Sequence, residues 1–97
     1  MTKRIKIKLD KERHLLATSR AIAKYQEVTG RELLAKSTLS NLSLRDVIVV
    51  TWTLLLHEDS SLTIDQVGDI IKPQTNMNEL IYKIGEAWDA YDKELGI

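Results

Sequence analysis

The chain has no cysteine, no phenylalanine, a single proline and four glycines among its 97 residues. Without cysteine there is no disulfide framework, no thiolate nucleophile and no zinc–thiolate cage. The glycines, Gly30, Gly68, Gly85 and Gly96, are scattered, so no phosphate-cradling loop of the Walker or dinucleotide kind can be assembled. Long apolar runs are missing as well. The longest, Val47 to Leu56, is about half of the ~20 residues that a bilayer crossing requires, and Thr51 and Thr53 interrupt it. The first residues alternate charge with aliphatics, unlike the uninterrupted apolar core of a signal peptide. Membrane insertion and export are not expected.

What is present is ordinary globular material, 43% apolar and 29% charged, in a length that supports one hydrophobic core. A single domain over residues 1–97 is the expectation. The formal net charge of zero hides an asymmetry: residues 1–36 carry ten Lys/Arg against four Asp/Glu, and the remainder carries four against ten. Such a dipole can steer a polar partner or promote head-to-tail self-association. Plain surface solvation is the simpler account of it.

Lys3 to Leu9 places Ile5, Ile7 and Leu9 on one face and Arg4, Lys6 and Lys8 on the other, the period of a strand. A lone strand is unstable in water, so it needs a partner in this chain, in another copy or in another protein. Asp10 is positioned to cap a helix that runs to Thr29 and stops at Gly30, with Leu15, Ala21, Ile22, Tyr25 and Val28 as its apolar stripe. A short turn over Arg31 to Lys36 and a polar loop over Ser37 to Asn41 follow. Ser43 to Asp46 has the spacing of a capping box and opens a helix whose faces, from Val47 to Leu56, are nearly all apolar. This is the predicted core helix. Thr63 to Gln66 is a second capping box, opening a short helix that Pro73 closes after Ile71. Asn76 to Glu79 begins a terminal helix whose stripe is Leu80, Ile84, Ala87, Trp88, Tyr91 and Leu95, up to Gly96. The predicted fold is mainly α: a compact bundle of about four helices preceded by one short β-strand, paired in a small hairpin or an intermolecular sheet.

Catalytic chemistry has little to build on. His57-Glu58-Asp59 is the densest titratable cluster, yet it falls just past the core helix, where a histidine favours the negative helix end and acids open an exposed loop. His14 has only Asp10, Lys11 and Thr18 at helical ligand offsets, too few for a metal pair. The serines Ser19, Ser40, Ser43 and Ser60 lack a nucleophile-elbow context. No enzyme activity, cofactor or metal is expected. Binding is the better prospect. Trp52 belongs to the core, whereas Trp88 shares a stripe with Ile84 and Tyr91 and can serve either the core or a partner groove. Ile81 and Tyr82 lie off that stripe and offer apolar surface. With the apolar strand edge, they give the candidate partner-binding set Ile5, Ile7, Ile81, Tyr82 and Trp88.

The order of these signals resembles a known family. A short amphipathic strand is followed by a helix ending in Glu27-Val-Thr-Gly30-Arg-Glu-Leu-Leu34, then by Ser43-Leu-Arg-Asp-Val47. Next come Trp52-Thr-Leu-Leu-Leu-His57-Glu-Asp59 and Leu62-Thr-Ile-Asp-Gln-Val-Gly-Asp-Ile-Ile71, and then a terminal helix. Over residues 4–92 this order is similar to the small tail assembly chaperones of long-tailed phages, prophages and gene-transfer-agent-like elements. The resemblance implies a protein of the bacterial host cytoplasm that binds the tape measure protein and keeps its long apolar helices soluble. It further implies aid to virion tail tube assembly, contact with the tail tube protein, self-association and absence from the mature tail. Family members often begin with a two-strand hairpin bearing an aromatic residue near the second strand. Here one strand is legible and phenylalanine is absent.

Two other functions are compatible with parts of the sequence. A small DNA-binding regulator would set Arg4, Lys6, Lys8, Lys11 and Arg13 on phosphates, but the neutral net charge and the acidic or apolar later helices speak against nucleic acid. An enzyme using His57 with Asp59 is the third.

Overall fold

The computed structural model describes residues 4–30, 43–71 and 76–94. Among these the chain forms β1 (Ile5–Lys8), β2 (Glu12–Leu15), α1 (Ser19–Thr29), α2 (Leu44–Leu55), α3 (Ile64–Ile71) and α4 (Met77–Glu94). The architecture is mainly helical with an N-terminal antiparallel hairpin. The turn over Arg31 to Lys36, the loop over Ser37 to Asn41, the stop at Pro73 and the chain end at Leu95 and Gly96 lie outside the described residues.

The strand finds its partner within the chain. β1 and β2 pair with Ile5 opposite Leu15, Lys6 opposite His14, Ile7 opposite Arg13 and Lys8 opposite Glu12. The helix expected from Asp10 is therefore a hairpin, and α1 begins only at Ser19. Local chemistry explains the difference. Asp10 spends its carboxylate on the Lys11 amide and on Arg13, and so does not cap a helix there. Thr18 caps α1 instead, accepting from the Ala21 amide at 3.0 Å. Leu15, expected on the helix stripe, is fully buried from β2.

The other boundaries follow the local signals. Gly30 ends α1 in the left-handed region at φ 70°, where its amide reaches the Gln26 carbonyl. Ser43 caps α2 through the Asp46 amide. Thr63 and Gln66 form a reciprocal box, the Thr63 amide donating to Gln66 Oε1 at 2.9 Å and the Gln66 amide to Thr63 Oγ1 at 3.1 Å. Asn76 accepts from the Glu79 amide and opens α4.

α2 lies at the centre, packed against α1, α3, α4 and β2. Nine of its 12 residues are buried. Each fully buried leucine or valine there contributes about 1.5–3 kcal/mol relative to exposure. The two threonines inside this helix stay satisfied, since the Thr51 hydroxyl donates to the Val47 carbonyl and that of Thr53 to the Val50 carbonyl. α4 lays Leu80, Ile84, Ala87 and Trp88 into the core and packs against both strands of the hairpin. Tyr91 then ties α4 to the start of α1, its hydroxyl 2.7 Å from Ser19 Oγ. Among the described residues, no helix is long and apolar enough to cross a membrane.

Candidate functional site

The titratable cluster at the end of α2 is a clasp on the hairpin. Glu58 accepts from the His14 amide through Oε1 and meets His14 Nδ1 through Oε2, both at 3.0 Å. His57 Nε2 lies 2.7 Å from the His14 carbonyl oxygen; a carbonyl can only accept, so Nε2 carries the proton. Both main-chain groups of His14 are thus claimed by side chains from beyond α2. The Leu16 amide adds a third link, donating to the Leu54 carbonyl in the last turn of α2 at 3.1 Å. These bonds cover an edge of β2 that would otherwise present free pairing groups. Burial pushes the Glu58 carboxyl up, but the His14 amide and ring and the imidazole of His57 outweigh it, leaving the group below its ordinary 4.5.

A second charged group sits in the hairpin itself. Arg13 is 4% exposed on the inward side of β2, and Asp10 holds it with bonds of 2.7 Å to Nε and 2.9 Å to Nη2. Hydrogen bonding to Arg13 is the main reason that the Asp10 carboxyl falls below its ordinary 3.8, against an opposing push from burial. Asp59 is occupied locally, accepting from the Ser61 hydroxyl at 2.6 Å and from the Ser61 amide. The His57 to Asp59 cluster therefore has a structural use at each member. Among the described residues, no three His, Asp or Glu side chains converge as metal ligands.

The candidate partner-binding residues fall in different places. Ile5 and Ile7 are 5% and 4% exposed and face the chain's own core. Trp88, at 4%, is in the core as well, its ring tilted against Tyr91 with centroids 5.9 Å apart, and its Nε1 has no acceptor among the described residues. Ile81 is partly buried against the same core, whereas Tyr82 stands 68% exposed. Of these five, Tyr82 alone presents its apolar body freely to a partner; Leu44, at 61%, is a further exposed aliphatic that the sequence reading did not single out. The cations that would serve DNA phosphates divide too. Arg4, Lys8 and Lys11 are exposed, Lys6 lies 3.1 Å from Glu12, and Arg13 is buried on Asp10.

A feature that the sequence does not announce lies between α1 and the C-terminal half of α2. It is an open groove of about 780 Å³, with apolar lining from Leu16, Ala21, Ala23, Trp52 and Leu56. Arg20, Lys24, Glu27 and His57 supply its charged lining. Lys24 Nζ lies 5.9 Å from the centroid of the Trp52 ring, a cation–π distance, and 3.7 Å from Glu27. Trp52 is anchored from below, its Nε1 donating to the Leu62 carbonyl at 2.8 Å. Finding such a groove requires the packing of α1 against α2, which no pattern within either helix encodes. The volume falls within the ~300–1,000 Å³ of ligand pockets, but the open, helix-walled form suits protein side chains better than an enclosed small molecule. Comparison of the chain with protein-family models, with curated proteins and with solved structures returned no match.

Proposed function

We propose that this chain is a tail assembly chaperone of the kind made by long-tailed phages, prophages and gene-transfer-agent-like elements. In this reading it is not an enzyme. It binds the tape measure protein in the bacterial host cytoplasm, shields its apolar helices, aids growth of the tail tube and leaves before the virion tail is finished. The observation that carries the proposal is the ordered series of junction motifs. The Thr29-Gly30 stop, the Ser43 cap, the apolar α2 running from Trp52 into His57-Glu58-Asp59, and the Thr63/Gln66 box each occupy a boundary of the fold. They follow a two-strand hairpin, the start that members of this family often have. An open groove and an exposed tyrosine add surface on which a helical client can rest.

The DNA-binding alternative draws less support, because Arg13 is buried and Lys6 is paired within the hairpin. The test is affinity purification of the tagged full chain from cells carrying its native genetic element, with mass spectrometry and an absorbance check for nucleic acid. A long, helix-rich structural protein that copurifies, and that loses solubility without this chain, is the expected result. Recovery of DNA, or of no such client, overturns the proposal.

A further inference from the structure

We propose that the groove between α1 and α2 binds an amphipathic helix of a partner protein whose apolar face is flanked by glutamate or aspartate. Assigning that helix to the tail client rests on the chaperone reading above; the chemistry of the groove does not.

Shape narrows the occupant first. The groove follows α1 from Thr18 to Glu27, ~14 Å at 1.5 Å per residue, which matches an i, i+4, i+7 set of side chains on a second helix. Its walls are helices whose main-chain groups are already bonded internally, so an added strand would find no edge to pair with. Ala23 is exposed and carries no side chain beyond Cβ, which lets another backbone come close.

Charge then sets the sign. Arg20 and Lys24 stand one turn apart along the groove; Glu27, also in the lining, lies 3.7 Å from Lys24 and offsets that charge, so Arg20 supplies the excess cation. Arg20 takes part in none of the ion pairs found among the described residues. The helices beyond α2 carry Asp65, Asp69, Glu79, Glu86, Asp89 and Asp92 against Lys83 and Lys93, so their net negative charge makes them a poorer match for a carboxylate-bearing partner than α1 is. Lys24 over the Trp52 ring acts as a cover. A partner carboxylate that draws Lys24 aside exposes the indole to the partner's apolar face.

The test uses the full chain and two synthetic helical peptides of about 18 residues with the same leucine face, one flanked by glutamate and one by lysine. The glutamate peptide is expected to bind at least about tenfold more tightly, with an advantage that shrinks as salt rises. In a ¹⁵N spectrum the Trp52 indole N–H signal should move on binding while that of Trp88 stays. The double variant R20E/K24E, its fold checked by the ¹⁵N spectrum because Lys24 also meets Glu27 and Trp52, should invert the preference in favour of the lysine peptide. Ala23→Trp, which fills the groove without altering charge, should abolish binding of both. Equal affinity for the two peptides, no inversion in R20E/K24E, or a stationary Trp52 signal overturns the proposal. So does peptide-free self-association that R20E/K24E abolishes, because a second copy is then the occupant. In the purification described above, a client that copurifies equally well with R20E/K24E overturns the groove assignment and leaves the chaperone reading intact. Charge-selective peptide binding with no such client does the reverse.

Discussion

Burying an arginine at 4% exposure in a small domain is costly unless its charge is met, and Asp10 meets it with two hydrogen bonds. Removing only the acid leaves the cation stranded. Asp10→Ala is expected to cost about 1–2 kcal/mol, less than for a fully enclosed pair because the Asp10 side chain is 41% exposed. Arg13→Met removes the charge together with its need for a partner and should be close to neutral. Urea denaturation of the two variants checks this ordering, and equal losses would refute it. The tryptophans make a second contrast. Trp52→Phe loses ring volume and deprives the Leu62 carbonyl of its donor, whereas Trp88→Phe loses volume but also removes an indole N–H that has no acceptor among the described residues. Trp52→Phe should therefore be the more destabilising by about 1–2 kcal/mol, measured by thermal melting.

At the scale of elements, the clasp between β2 and the end of α2 makes stability depend on pH. Glu58 and Asp10 both ionise more readily in the folded chain than their ordinary values of 4.5 and 3.8. The unfolded chain therefore binds more protons in this range, and stability rises with pH. Their contribution is complete above those ordinary values and is lost as pH falls through the lowered folded values. Melting temperatures followed downward from about pH 6 should drop steeply below about pH 4.5. Glu58→Gln should start lower and fall less, and a parallel curve would show that this carboxylate is not coupled to folding. Four helix boundaries were legible in the sequence because caps act within four residues: Ser43, Thr63, Asn76 and Gly30 all operate where their local patterns stand, whereas the start of α1 was placed at Asp10 and lies at Thr18. β2 was not legible. Its inward positions are Arg13 and Leu15, so the apolar alternation that marks a strand is broken by a side chain whose counterion lies in the turn. The partner of His14 is 44 residues away, which no local pattern reveals.

Across the whole molecule, the apolar spacing that suggested Ile5, Ile7 and Trp88 as contact residues reports the chain's own core, because spacing alone cannot say which apolar face is already covered. The same limit separates neighbours on α4. Tyr82→Ser should leave stability within about 0.5 kcal/mol while weakening client capture. Ile81→Ser should lower the melting temperature, since Ile81 packs against the core. If Tyr82→Ser melts early or captures as well as the unaltered chain, the exposed ring is not a contact.

The clasp also sets a timetable for synthesis. The hairpin is made first, but the residues that close over His14 are added about 44 positions later, a delay of about 2–9 s at the ~5–20 residues per second of translation. Throughout that interval the nascent hairpin stands without the carboxylate and imidazole that later cover it. In that interval Lys6 and Lys8 on the outward face discourage neighbouring nascent chains on a polysome from adding strands to β1, while the edge of β2 stays open until the clasp closes.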